Sequence, residues 1–179
     1  MSERPLRDFE LKIVSELMKN SRRSDRELAK AVGLSQPSVS RIIRKLEKNG
    51  FVQEYTMVPN FLKLGYMILA ITVVKLKQSL DSAEIEGAKK IIRDTLKITP
   101  FEIVMLERGL GLNSDGVIIS YHKDYGAHLK FIELLKSVNL LVVEEIRSFR
   151  VDLQDDVRFL PLTFSLVAQC VGRIDELKE

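Results

Sequence analysis

The chain is poor in the residues that staple, span or catalyse. Among its 179 residues there is one cysteine, Cys170, which excludes an intramolecular disulfide and any metal site built from several cysteines. So sparing a use of thiols suits a reducing compartment. No apolar run approaches the ~20 residues needed to cross a bilayer. The most apolar stretch is Met67 to Val74, and a second, Phe159 to Val171, is interrupted by Pro161, Thr163, Ser165 and Gln169. Both read as core or interface. The opening Met-Ser-Glu-Arg-Pro has none of the apolar character of a secretory signal, so a cytoplasmic protein is expected. His122 and His128 are the two histidines, and neither stands at a metal-ligand spacing from another His or Cys. No Ser-His-Asp or paired-carboxylate pattern is readable. No metal, no cofactor and no enzymatic activity are therefore expected.

What is present is a globular balance, 45% hydrophobic and 30% charged, with an uneven distribution of charge. Residues 1–50 hold 12 Lys/Arg against 7 Asp/Glu, while residues 51–179 hold 16 against 18. A basic front on a mildly acidic back points to a polyanion-facing module joined to a part with another task. Val58-Pro59-Asn60 and Gly65 punctuate the change, which divides the chain into residues 1–58, a linker at 59–65, a second domain at 66–153 and an extension at 154–179.

In the first part, apolar residues recur at helical spacing. Leu6, Phe9, Ile13 and Leu17 make one stripe of a helix expected over Leu6–Lys19. Ser24-Asp25-Arg26-Glu27 is a capping box, in which the serine oxygen takes a free backbone N–H and the glutamate reaches back. It opens a short helix, Asp25 to Val32, burying Leu28, Ala29 and Val32. Gly33 supplies the left-handed turn that ends it. Ser35 is then expected to cap a third helix reaching Asn49, with Pro37 accepted in its first turn. Two helices joined by a tight glycine-containing turn are a helix-turn-helix, and Phe51 to Val58, rich in β-formers, is expected to pair as a small wing or linker hairpin.

The third helix carries the functional reading. Val39, Ile42, Ile43 and Leu46 form its apolar stripe, and Pro37, Arg41, Arg44 and Lys48 fall on the opposite face. The N-terminal part of such a helix enters the DNA major groove, placing Gln36, Pro37, Ser38, Ser40 and Arg41 nearest to base edges. Arginine pairs bidentately with guanine and glutamine with adenine. Arg44, Lys45 and Lys48 lie farther along, at the height of the phosphates, and Arg22 and Arg23 are candidates for a further backbone contact.

Beyond the linker the order is β-α-β-β-α-β. Strands are expected at Met67–Leu76, Phe101–Leu106, Gly116–His122 and Val142–Leu153, helices at Ser82–Leu96 and Tyr125–Val138, and a loop at Glu107–Asp115. This is a ferredoxin-like arrangement, and the whole is an α+β protein. Its single antiparallel sheet should carry helices on one face, leaving the other to a second subunit.

Together the halves resemble the Lrp/AsnC family, the leucine-responsive or feast/famine regulators of bacteria and archaea. The residues that carry the resemblance are Leu6–Val14 and Leu17, Arg22-Arg23-Ser24, Glu27-Leu28-Ala29, Val32-Gly33-Leu34-Ser35, Val39, Ile43, Leu46, Gly50 and Leu64-Gly65-Tyr66. Glu10 stands where the family usually has aspartate. In the sheet domain, Gly111-Leu112-Asn113-Ser114-Asp115 is similar to the family's glycine-to-aspartate turn. The resemblance implies a transcription regulator that binds a palindromic operator as a dimer or higher oligomer, a tetramer or octamer included. It also implies a small effector, often an amino acid, whose amino group Asp115 would hold while the backbone at Gly109 and Gly111 takes the carboxylate. Siroheme decarboxylases look like the same architecture turned to tetrapyrrole chemistry, and a binding module without DNA activity is a third reading. The basic third helix favours the regulator.

Overall fold

In the computed structural model, which describes residues 5–77, 82–98, 102–137, 143–157 and 159–172, the first stripe forms α1 (Asp8–Lys19). The helix starts two residues later than its periodicity suggests. Arg7 is extended, and its N–H donates to the Glu10 carboxylate at 2.8 Å, which fixes the start there. α2 (Asp25–Val32) opens on the expected box: the Glu27 N–H donates to Ser24 Oγ, and Glu27 accepts from the Ser24 N–H at 2.7 Å. Gly33 closes it at φ +74°. α3 (Gln36–Lys48) has Pro37 in its first turn. Ser35 occupies the cap position without capping, because its hydroxyl donates to Ser38 Oγ at 2.9 Å rather than accepting a backbone N–H.

Ile13, Leu17, Leu28, Ala29, Val39 and Leu46 make the core of this unit, with Val32, Ile42, Ile43 and Phe51 packed around it. At ~1.5–3 kcal/mol for each large side chain removed from water, this cluster is what holds three short helices together. Among the described residues the stretch expected to pair as a wing or linker hairpin forms no strand. Residues 52–60 run without strand pairing, since the described residues of the unit offer no second strand. Side chains anchor the segment instead: Ser21 Oγ donates to the Thr56 carbonyl, and Tyr55 donates to Glu47 at 2.9 Å.

The second unit, residues 59–158, follows the expected order: β1 (Ile68–Leu76), α4 (Ser82–Ile98), β2 (Ile103–Gly111), β3 (Ser114–His122), α5 (Tyr125–Ser137) and β4 (Val143–Asp152). Phe101, Val138 and Val142 of the expected elements lie outside the described residues. The sheet is antiparallel in the order β2-β3-β1-β4. One expectation fails here. The loop placed at Glu107–Asp115 is mostly strand, and the turn has shrunk to Leu112-Asn113, both left-handed at φ 52° and 54°. A two-residue turn of that hand matches the twist of the strands it joins, so β2 and β3 extend until Gly111 pairs with Ser114.

Strand alternation divides the sheet into two faces. Ala70, Thr72, Ile118, Ser120 and His122 share one and are buried, and α5 lies over it with His128 and Phe131 turned inward. Ile71, Met105, Phe149 and Val151 share the other, which is exposed. The expected linker is a turn of this unit, with the Phe61 ring stacked on Tyr121 at 3.5 Å. Chain residues 159–172 return to the first unit, where α6 (Ser165–Gly172) lies against α1.

Candidate nucleic-acid interface

A reading helix needs an underside that locks it and an outer face left free. In α3 the underside is Val39 and Leu46, both essentially inaccessible. On the outer face Gln36, Pro37, Arg41, Arg44, Lys45 and Lys48 are exposed, with Ser38 and Ser40 half-buried. The first turn holds no acid and the last holds Lys45 and Lys48, so the positive end of the helix dipole is left uncompensated.

Tertiary contacts divide the cations. Arg41, Arg44 and Lys48 have no hydrogen-bond or ion-pair partner among the described residues. Lys45, by contrast, donates to Glu10 at 2.9 Å, and that carboxylate is only 3% exposed. A buried carboxylate is tolerated when charge-assisted hydrogen bonds surround it. Glu10 accepts from Lys45 and from the Arg7 N–H, and so ties α1 to α3. Ser40 is similarly engaged: its hydroxyl donates to Asp25 of α2. Arg23 pairs with Glu16 of α1, which Lys19 also contacts, while Arg22 is exposed with no ion pair among the described residues. The candidates therefore fall into an unengaged set (Gln36, Pro37, Arg22, Arg41, Arg44, Lys48) and a set also used to brace the unit (Ser38, Ser40, Lys45, Arg23).

Sequence reasoning missed the braces themselves. Glu10, Asp25 and Glu47 hold side chains 35, 15 and 8 residues away, and no periodicity connects such pairs. The Tyr55 hydroxyl, donating to Glu47, is pushed up to about 12 by burial and by that carboxylate, so the contact persists at any physiological pH.

In the sheet unit the proposed effector residues sit on the β2–β3 hairpin, Gly109 and Gly111 on β2 and Asp115 on β3. Asp115 is already used, since one carboxylate oxygen accepts from the Leu76 N–H at the end of β1, 2.9 Å away. The histidines, far from metal-ligand spacing in sequence, come together with rings 5.0 Å apart. Both are buried. Ser120 Oγ bonds His122 Nε2 at 2.8 Å, while neither His128 nitrogen has a partner. Among the described residues no group of three or more His, Cys, Asp or Glu is placed to hold a metal.

Residues 6–53 match the family model described as winged helix-turn-helix DNA-binding. The chain is 30% identical over 156 residues to the HTH-type transcriptional regulator PH0061 of Pyrococcus horikoshii, an alignment covering 83% of this chain and 99% of that one. The crystal structure of PH0061 superposes with a TM-score of 0.68 at 26% identity, covering 89% of this chain and all of the other. That of LrpC from Bacillus subtilis does so with 0.66 at 25% identity, covering 87% and 99%. The chain belongs to the Lrp/AsnC family. The likeness extends, as fold alone, to a regulator from Neisseria meningitidis solved in complex with L-Met, with a TM-score of 0.69 at 20% identity and coverage of 90% and 96%. PH0061 and LrpC both bear the name of HTH-type transcriptional regulators. No helix among the described residues is long and apolar enough to cross a membrane.

Proposed function

We propose that this Lrp/AsnC protein is a cytoplasmic, sequence-specific DNA-binding regulator that sits on a palindromic operator as a dimer or higher oligomer. The observation that carries the reading is the state of α3: a buried apolar underside opposite three cations with no partner among the described residues. Unpaired guanidinium and ammonium groups on one helix face are what duplex phosphates and guanine edges recognise. A single helix of this length reads too few bases for useful specificity. A two-fold dimer presenting two of them a helical turn apart supplies the rest. The open sheet face, with Ile71, Met105, Phe149 and Val151 exposed together, supports dimerisation through the second domain.

An amino-acid effector is the regulatory half of the proposal, supported by the L-Met complex of the Neisseria regulator. At the β2–β3 hairpin the second Asp115 oxygen would take the amino group, since the first is held by Leu76. The backbone at Gly109 and Gly111 would take the carboxylate.

Selection of bound genomic fragments, repeated with a panel of amino acids, tests both halves. Enrichment of a motif with two-fold symmetry is expected, together with a shift in occupancy for one class of amino acid. Recovery of random fragments, with binding unchanged in Arg41→Ala, would remove the sequence-specific reading.

A further inference from the structure

From Phe159 to Gly172 the chain has no Lys, Arg, Asp or Glu, although charged residues make up 30% of the whole and about four would be expected in such a stretch. Its helical part, α6, is uncharged and apolar around most of its circumference, with only Ser165 and Gln169 making one polar edge, and a helix of that kind is ordinarily buried on more than one side. Here it is buried on one side only. Ala168 is fully covered, Val171 and Gly172 half-covered, and Ser15 of α1 donates to the Ala168 carbonyl at 2.7 Å. Gly172 sits so close that a Cβ there would lie 3.0 Å from Ser15 Oγ. At 100° per residue, Leu166, Val167 and Cys170 then point away from α1, and all three are exposed.

The approach to the helix continues that free surface. Phe159 is 97% exposed, and Leu160, Leu166 and Val167 lie between 50% and 62%, while Leu162 and Phe164 line a groove shared with Val14, Met18 and Phe51. At about 200 Å² for a fully exposed large apolar side chain, the first four present roughly 500 Å². This lies in the upper part of the ~300–600 Å² of the largest patch on a typical monomer, which is often functional. Two such surfaces together come to about 1,000 Å², the lower end of specific protein interfaces.

We infer that the outer face of the 159–172 segment is a self-association surface, occupied by the same face of a second copy of this chain. Area alone does not choose the partner, but the chemistry narrows it. With no basic residue the surface does not suit nucleic acid, and with no charge of either sign it does not repel its own copy. A two-fold interface requires only that one patch complement itself, and an uncharged apolar helix face does so. Because the segment is docked on α1, this contact joins DNA-binding units directly, separately from the sheet face invoked above.

Cys170 makes the test specific, being the one cysteine in the chain and lying between Leu166 and Val167 on the free face. A short bismaleimide added to the full-length protein should yield a covalent dimer, absent in Cys170→Ser. Leu166→Glu with Val167→Glu leaves the docked face untouched and should lower the crosslinked fraction about tenfold or more. The milder pair Leu166→Ser and Val167→Ser, with thermal melts of each protein, separates loss of contact from loss of fold. Phe149→Glu on the sheet should leave the Cys170 crosslink in place, which keeps this surface distinct from the sheet dimer. No crosslink in the wild type, or an undiminished one in a glutamate variant that melts normally, would overturn the inference.

Discussion

Arg41 and Lys48 stand on the same helix face, unpartnered, yet their positions assign them different work. Arg41 is in the base-proximal half of α3. Its replacement by alanine should cost ~1–3 kcal/mol, a roughly five- to 150-fold loss of operator affinity, and relax preference at one base pair. Lys48→Ala should weaken binding to all sequences alike and reduce the slope of log affinity against log salt by about 0.9. Fluorescence anisotropy over a salt series separates the two. The histidine pair makes a different prediction. Burial, reinforced by the neighbouring His128, lowers His122 from its ordinary 6.5 to about 4, with Glu102 opposing. His128 is lowered in the same direction, by burial and then by Arg150. The unfolded chain takes up the His122 proton near pH 6.5 and the folded one only near about 4. Stability is therefore full above pH 6.5 and falls on acidification through that interval, by up to about 3 kcal/mol for His122. Urea denaturation from pH 7 to 4.5 should show this loss, and His122→Gln should flatten it.

At the scale of elements, α2 is the most locally determined piece of the chain. Its two ends are set by one serine, one glutamate and one glycine, and all three act within four residues. Ser24→Ala should cost ~1 kcal/mol through the lost cap. Gly33→Ala should cost a similar ~1 kcal/mol. Nothing lies within 4 Å of the added methyl, so that penalty comes from backbone conformation at φ +74° and not from a clash. Chemical denaturation of the two single variants and the double would show additive losses, because the sites sit at opposite ends of the helix. The β2–β3 hairpin was less legible. Gly109, Gly111, Asn113 and Asp115 look like loop residues one by one. Pairing with β3 nevertheless extends β2 through both glycines, and only Leu112-Asn113 turns.

For the whole molecule, the open sheet face and the docked C-terminal segment matter most. In the proposed dimer, Phe149 and Ile71, which this small domain leaves exposed, would be buried against a second sheet. Phe149→Glu should accordingly reduce the sedimenting mass and weaken binding to a full palindrome more than to a half-site, as measured by analytical ultracentrifugation and anisotropy. The C-terminal extension has no counterpart in the pattern that made the family recognisable. Its place on α1 depends on Ser15 and Ala168, 153 residues apart.

Read alone, the residues determined the helix-turn-helix, the caps of α2 and the basic face of α3, and the order of strands and helices beyond Gly65. Each of these depends on interactions within a turn or two of helix or on strand alternation, which repeat along the chain and can be read from it. The tertiary structure decided which cations remain free, by supplying Glu10 to Lys45 and Glu16 to Arg23. It also placed the two histidines together and returned the tail to α1. Such pairings join residues far apart in sequence, and their free energy comes from burial and charge neutralisation in a packed interior, which no local pattern encodes.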